Sequence, residues 1–251
     1  MVTQKKNTRE NPVLRPHDLL KKIEVCSQAL VIFNTFDWDS LIARRCPVPG
    51  SRKNLKFCSL QTIVVNNRPV TIAGPGMSAP VAAMLLEILI AFGSRQIIGV
   101  GSCGSLNKKL RVGHFVIPES AFADEGTSLH YPLPGKKIQA NPRILKEIKS
   151  LCGTKGQNGI MGKVWTTDAP FRETRQKIEK VQRKKAIAVE MELSAFFKVG
   201  AFYEVEVGAL LVVSDELFNQ QWTPGYNTPK YKKAIAQATD IALQILSHLD
   251  G

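Results

Sequence analysis

The chain has no apolar run approaching the ~20 uncharged residues needed to cross a bilayer. Its longest, APVAAMLLEILIAFG at 79–93, is interrupted by Glu87 and reads as a core helix. The opening, MVTQKKNTRENPVLRP, is polar and basic and lacks the apolar stretch of a secretory signal. Residues 1–12 are therefore expected to form a flexible basic arm ahead of one domain spanning 13–251. Cysteine is sparse: Cys26, Cys46, Cys58, Cys103 and Cys152 are odd in number, scattered, and form no C-x-x-C pair. That pattern excludes a disulfide framework and a structural zinc site, and fits reduced thiols in a cytoplasm. No metal is expected. Acidic residues are the minority, 21 against 34 Lys plus Arg, for a formal net charge of +13. Such a field concentrates anions of any kind. Yet the basic residues are dispersed, and no aromatics alternate with them as a single-strand nucleic-acid groove requires. Neither a nucleic-acid nor a membrane partner is expected; a small anionic molecule fits better.

What the chain does have is β-branched apolar runs alternating with longer helical patterns. The strands expected are 29–34, 60–66, 70–74, 96–101, 114–119, 162–167, 186–190 and 205–214. The helices expected are 79–92, 142–151, 173–184, 192–202 and 229–249. This alternation predicts a single α/β domain with a mixed, mostly parallel central β-sheet flanked by helices. In such sheets ligands bind beyond the carboxyl ends of the strands.

One of these strands leads into QIIGVGSCGSL (96–106), where Gly99, Gly101 and Gly104 spell G-x-G-x-x-G. A dinucleotide fingerprint needs its third glycine to open a helix whose N-terminus faces the pyrophosphate. Here Gly113 and a new strand follow within a few residues, which leaves no room for that helix. The dinucleotide reading fails. What remains is a strand ending in a small loop, where backbone N–H groups and Ser102 could hold an anion.

Three further stretches carry chemistry. In AGPGMSAP (73–80), Gly74 and Gly76 allow a close backbone approach, and Ser78 can cap the following helix. In AIAVEMELSAFF (186–197), Glu190 and Glu192 sit between apolar blocks, where burying a carboxylate is costly unless donors meet it. A carboxylate accepting two hydroxyl protons suits the vicinal diol of a ribose. In GALLVVSDEL (208–217), a hydrophobic strand ends at Ser214–Asp215–Glu216. Asp215 there can be a helix cap or a general acid with a raised pKa.

Taken in order, these stretches resemble the nucleoside phosphorylase family, the branch of hexameric purine nucleoside and uridine phosphorylases with the related nucleosidases. The resemblance runs from about Val25 to Leu249. It implies cleavage of a nucleoside's N-glycosidic bond, with inorganic phosphate as co-substrate and no other cofactor, in a homo-oligomer (dimer or hexamer). It implies that Glu192 holds the 2′- and 3′-hydroxyls, with Met191 packed on the sugar and Glu190 beside it. Asp215, next to Ser214, would protonate N7 of a departing purine. Ser102, with the Gly74 turn, would bind phosphate. Thr167 and Phe171 become candidates for base contact and stacking, and Arg172 loosely matches a uracil-reading arginine. Lys56 and His17 would reach a neighbouring subunit's phosphate and 5′-hydroxyl, against a plain surface role for His17.

The chain departs from the family where phosphate is clamped. The first strand leads into VIFNTFDWDSLIARR without the family's Gly-Asp-Pro turn, and Arg44 and Arg45 fall late to replace its arginine. On the central strand the family's arginine is replaced by Gly99. Three readings stay open: phosphorolysis through Lys56 and another basic side chain, hydrolysis by water, or nucleoside binding with little turnover. Phosphorolysis of a purine nucleoside is the reading preferred, with the uridine-like DEGTSLHYP segment and Arg172 as its counterweight.

Overall fold

Ala29, Leu30 and Val31 have no exposed surface, and they lie in a strand that pairs in parallel on both sides. Burial on both faces is why that strand reads as a continuous apolar run with no polar alternation. The chain's structure is a computed structural model that describes residues 12–20, 23–135, 137–154, 159–219 and 221–250. Apart from Pro12, the arm expected over 1–12 lies outside the described residues.

The elements are, in order, α1 (Pro16–Leu19), β1 (Gln28–Ile32), α2 (Thr35–Ile42), β2 (Lys53–Asn54), β3 (Ser59–Val65) and β4 (Arg68–Gly74). Then come α3 (Ala79–Ala91), β5 (Gln96–Ser105), β6 (Phe115–Asp124), α4 (Pro142–Thr154), β7 (Ile160–Thr167) and α5 (Arg175–Arg183). The chain finishes with β8 (Ala186–Glu190), α6 (Leu193–Phe202), β9 (Glu206–Glu216), β10 (Thr223–Pro224) and α7 (Pro229–His248). Neighbouring strands run β10-β9-β6-β7-β8-β5-β1-β4-β3-β2, and β9 also pairs with β5. The strands β5, β8, β7, β6 and β9 thus close on themselves, and β1, β4, β3 and β2 extend from β5 as an open wing. The sheet is mixed: β4, β1, β5 and β9 run parallel, as do β6, β7 and β8. Antiparallel pairs join β6 to β9 and β5 to β8.

Helices cover both faces. Leu85, Leu86 and Leu89 of α3 pack with Phe196 and Phe197 of α6 on one side. On the other, Ile144 and Ile148 of α4 meet Ile235, Ile241 and Leu246 of α7, and Trp38 and Leu41 of α2 join them. The long α7 starts cleanly because the Thr228 hydroxyl accepts the Tyr231 N–H and Pro229 takes the first helical turn.

Two departures from the sequence reading shape the site. First, β5 runs on past the expected end at 101 to Ser105, so Gly104 too lies in the strand rather than in a loop after it. The three glycines make room for neighbours: a Cβ on Gly99 or Gly101 would strike the Phe33 ring, and one on Gly104 would strike Leu217. Second, α2 was not foreseen. It carries Thr35–Ile42 directly from β1, and Trp38 seats it against Gly74, whose Cβ would lie 2.6 Å from that indole. Gly74 thus leaves the space that Trp38 of α2 fills. Ser78 does not cap α3 with its hydroxyl either; its backbone serves another purpose described below.

Candidate active site

The carboxyl ends of β1, β5, β8 and β9 converge on one cavity of about 920 Å³. Parallel pairing of β1, β5 and β9 brings Asn34, Ser102 and Asp215 to the same end of the sheet, and antiparallel pairing delivers the end of β8 beside Gly104. Ser102, Glu190, Met191, Glu192, Ser214, Asp215 and Phe171 all face it.

Glu192 is 6% exposed, and its carboxylate accepts the N–H of Ser78 at 2.7 Å and that of Met191 at 3.3 Å. Ser78 has φ 82°, a backbone state that side chains other than glycine adopt at a cost. That state turns its N–H onto Glu192. Burial pushes Glu192 above the usual carboxylate range, and these two N–H groups oppose the shift. Glu190 lines the cavity too and is held by its own bonds. It accepts the N–H of Glu192 at 2.7 Å, the N–H of Leu193 at 2.6 Å, and the Thr166 hydroxyl. Those bonds cap the start of α6 and leave Glu190 to hold the Glu192 backbone in place. Its own pKa is raised by burial and then by the Glu192 charge.

At the other side of the cavity the Asp215 carboxylate is gripped twice. The Trp222 indole N–H donates at 3.0 Å, and Ser214 Oγ lies 2.6 Å away. Ser214 Oγ also lies 3.2 Å from the Cys103 carbonyl. Burial raises the Asp215 pKa, the Ser214 and Trp222 bonds lower it, and the Glu216 charge raises it. Glu173 also lines this side, and burial followed by the Asp215 charge lifts it to about 7 against a weaker pull from Lys177. Phe171 stands fully exposed at the rim, with both ring faces available.

The end nearest β1 holds a polar chain. Asn34 Nδ2 donates to Ser102 Oγ at 3.2 Å, Ser102 and Tyr231 are hydrogen-bonded, and Tyr231 donates to Asp37 at 2.7 Å. Asp37 is buried, and burial raises its pKa against that hydrogen bond. Arg44 of the loop after α2 and Lys232 of α7 line the same end.

The remaining expected residues stand off the cavity wall. Thr167 is buried behind it, with its hydroxyl near the Ala169 N–H at 3.4 Å. Arg172 ends a short turn at Pro170–Arg172, and that turn presents its neighbour Glu173 to the cavity instead. Lys56 is exposed in the β2–β3 connection. His17 is exposed on α1 with its ring 4.4 Å from that of Phe92. The sequence reading missed Asp37, Glu173, Trp222, Tyr231 and Lys232, and it set Arg44 aside. For Asp37 and Arg44 a signal existed: with Ser40 and Leu41 they repeat at helical spacing.

A mixed sheet whose strand ends converge on a cavity lined by buried carboxylates makes a site for a small molecule. The chain belongs to the phosphorylase superfamily, whose family model matches residues 41–247. Relatives include purine nucleoside phosphorylases of the DeoD type from Bacillus thuringiensis (strain Al Hakam) and Bacillus mycoides (strain KBAB4). Each is 29% identical over 178 residues, covering 70% of this chain and 76% of the relative. Among solved structures, a uridine phosphorylase from Vibrio fischeri ES114 superposes with TM-score 0.78 at 23% identity, over 90% of this chain and 93% of that one. A purine nucleoside phosphorylase from Toxoplasma gondii in complex with immucillin-H gives TM-score 0.76 at 18% identity, over 93% and 96%.

Proposed function

We propose that the chain cleaves the N-glycosidic bond of a purine nucleoside with inorganic phosphate, releasing the free base and (deoxy)ribose 1-phosphate. The observation that carries this reading is that Glu192, at the start of α6, and Asp215, of β9, face one cavity together with Ser102. The bond breaks as positive charge develops on the sugar. Glu192, with Met191 beside it, fixes the sugar through its 2′- and 3′-hydroxyls. The surrounding carboxylates favour the developing cation in a site of low dielectric. Asp215, whose pKa is raised, passes its proton to N7 as the C–N bonding electrons move onto the base. Phosphate then bonds to the anomeric carbon from the side of Ser102. Phe171 stacks on the base at the rim.

Purine rather than uracil follows from Asp215, because a departing uracil has no N7, and from the names of the relatives matched in sequence. Lys56 and His17 stand exposed and off the cavity wall, which suits service to a second copy in a homo-oligomer. The five cysteines are unpaired, as in a reducing cytoplasm, and among the described residues no helix is long and apolar enough to cross a membrane.

The test is a panel of purine and pyrimidine nucleosides incubated with and without phosphate, with the sugar product identified. The expected result is purine release that requires phosphate and yields the sugar 1-phosphate. Free sugar formed equally without phosphate would replace phosphorolysis with hydrolysis, and nucleosides left intact would remove catalysis altogether.

A further inference from the structure

We propose that Arg44 and Lys232 hold the oxyanion co-substrate, in place of the arginine that the family resemblance puts at position 99. The assignment rests on the phosphorolytic reading above but concerns only which side chains bind the anion.

Position 99 has no space for a cation. A Cβ there would lie 2.3 Å from Phe33 Cζ, and the Phe33 ring is itself packed edge-on against Phe196 at 5.2 Å. The anion's charge must be met from elsewhere, because the cavity is otherwise acidic. Asp37, Glu173, Glu190, Glu192 and Asp215 all line it, and Arg44 and Lys232 are the cations among its lining residues. Bringing a multiply charged anion out of water into such a place is unfavourable without positive charge close by.

Arg44 lies in the turn after α2 and Lys232 in the first turn of α7, and both line the cavity. Ser40 and Leu41 follow Asp37 by three and four residues on one face of α2, Arg44 comes three residues later in the turn after the helix, and all four line the cavity. The next residue, Arg45, pairs instead with Asp240 of α7. That ion pair ties the end of α2 to α7 and leaves Arg44 to the cavity. On α7, Tyr231 and Lys232 open onto the same end, and among the described residues no carboxylate lies in ion-pair range of Arg44 or Lys232. The Ser102 hydroxyl, between Asn34 and Tyr231, offers position but no charge. A guanidinium fork together with an ammonium would give a tetrahedral oxyanion two directed donors and one point charge.

The experiment measures phosphate binding by calorimetry, without nucleoside, for the wild-type chain, Arg44→Gln, Lys232→Gln and the double variant. Steady-state KM values for phosphate and nucleoside are taken alongside. Each single change is expected to weaken phosphate binding about ten- to a hundredfold. The nucleoside KM should stay within about twofold, and Arg44→Lys should recover part of the loss. Circular dichroism separates lost binding from lost folding, and Lys232→Arg provides a second conservative control. A folded double variant that binds phosphate as the wild type does overturns the assignment even if the wild type performs phosphorolysis. Phosphate binding lost in the double variant upholds it even if the wild type proves to release free sugar. A wild-type chain with no affinity for phosphate overturns both.

Discussion

The ring of Phe33 fills the space that a side chain at Gly99 would need. A Cβ on Gly99 would stand 2.3 Å from Cζ and 2.6 Å from Cε2 of that ring, and one on Gly101 would stand 2.9 Å from Cδ2. The phenyl group immediately after β1 and the glycines of β5 are therefore one packing decision. Gly99→Ala alone should destabilise the fold by ~1–3 kcal/mol through overpacking. Phe33→Ala alone should cost ~3–5 kcal/mol through the void it leaves. Because the two residues are in contact, the double variant should cost clearly less than the sum, read from denaturant unfolding midpoints and slopes. Additive losses would mean the two residues are not packed as described.

Asp215 is expected to act by giving up a proton, not by capping a turn. Asp215→Asn keeps the shape and the hydrogen bonds that a carboxylate could accept through one oxygen, but it cannot donate an acid proton. Purine nucleoside cleavage should then fall by ~10²–10⁴-fold in kcat, with a small change in KM. A 7-deazapurine nucleoside, with carbon at the position to be protonated, should be a poor substrate for the wild type and no worse for the variant. An Asn variant as active as the wild type on ordinary purine nucleosides would reduce Asp215 to a structural role.

Glu173 offers a test of the cavity's electrostatics that does not depend on turnover. Burial and then the Asp215 charge lift it from an ordinary 4.5 to about 7. A carboxyl raised on folding stabilises the native state fully below its unfolded value and loses that contribution as pH rises through the folded value. The wild type should thus lose stability between about pH 4.5 and 7 that Glu173→Gln retains. The melting temperature of the variant minus that of the wild type should climb across this window and level off above it. A difference that stays flat from pH 4 to 8 would place Glu173 in open solvent.

The contrast between two substitutions at Asp37 tests the buried chain beneath Ser102. Tyr231 is 2% exposed and donates to Asp37 at 2.7 Å. Asp37→Ala strips that hydroxyl of its acceptor, and the unpaired buried group should cost ~1–3 kcal/mol. Asp37→Asn keeps an acceptor oxygen and removes a charge that burial disfavours. It should be at least as stable as the wild type at pH 8. Equal losses in both variants, measured by thermal unfolding, would mean the carboxylate's charge itself holds the site together.

The sequence revealed the scaffold more fully than it revealed the site. Every expected strand and helix forms, because runs such as QALVI and GALLVV are apolar enough to be buried on both faces and the helices show long apolar repeats. Glu192, Met191, Ser102, Ser214, Asp215 and Phe171 line the cavity, and they were legible because each closes or follows such a run. The β1 end was less legible. Its short helix α2 mixes Phe, Trp and Asp, which are weak helix formers, and gains its stability by seating Trp38 over Gly74. No local pattern announces a contact made so far along the chain. With α2 unseen, Arg44 looked stranded in a loop, and Asp37 had no partner until α7 brought Tyr231 against it from 194 residues away. The glycines of β5 misled in the opposite direction. Their spacing copies a dinucleotide fingerprint, whereas they make room for Phe33 and Leu217.

Trp222 connects the cavity rim to the acid within it, and that connection has a kinetic signature. The indole N–H donates to Asp215 at 3.0 Å and lowers its pKa by favouring the charged form. Trp222 is nonetheless 60% exposed, so Trp222→Phe should disturb the core little while removing the donor. Asp215 would then hold its proton to a higher pH. Since the protonated form is the one that assists departure of the base, the alkaline limb of the kcat/KM profile should move up in pH. The rate on the acid side should change little. A limb that moves down, or a uniform loss at every pH, would show that the indole matters for seating the base and not for setting the acid. The direction of that shift separates the two roles, which a single rate at neutral pH would confuse.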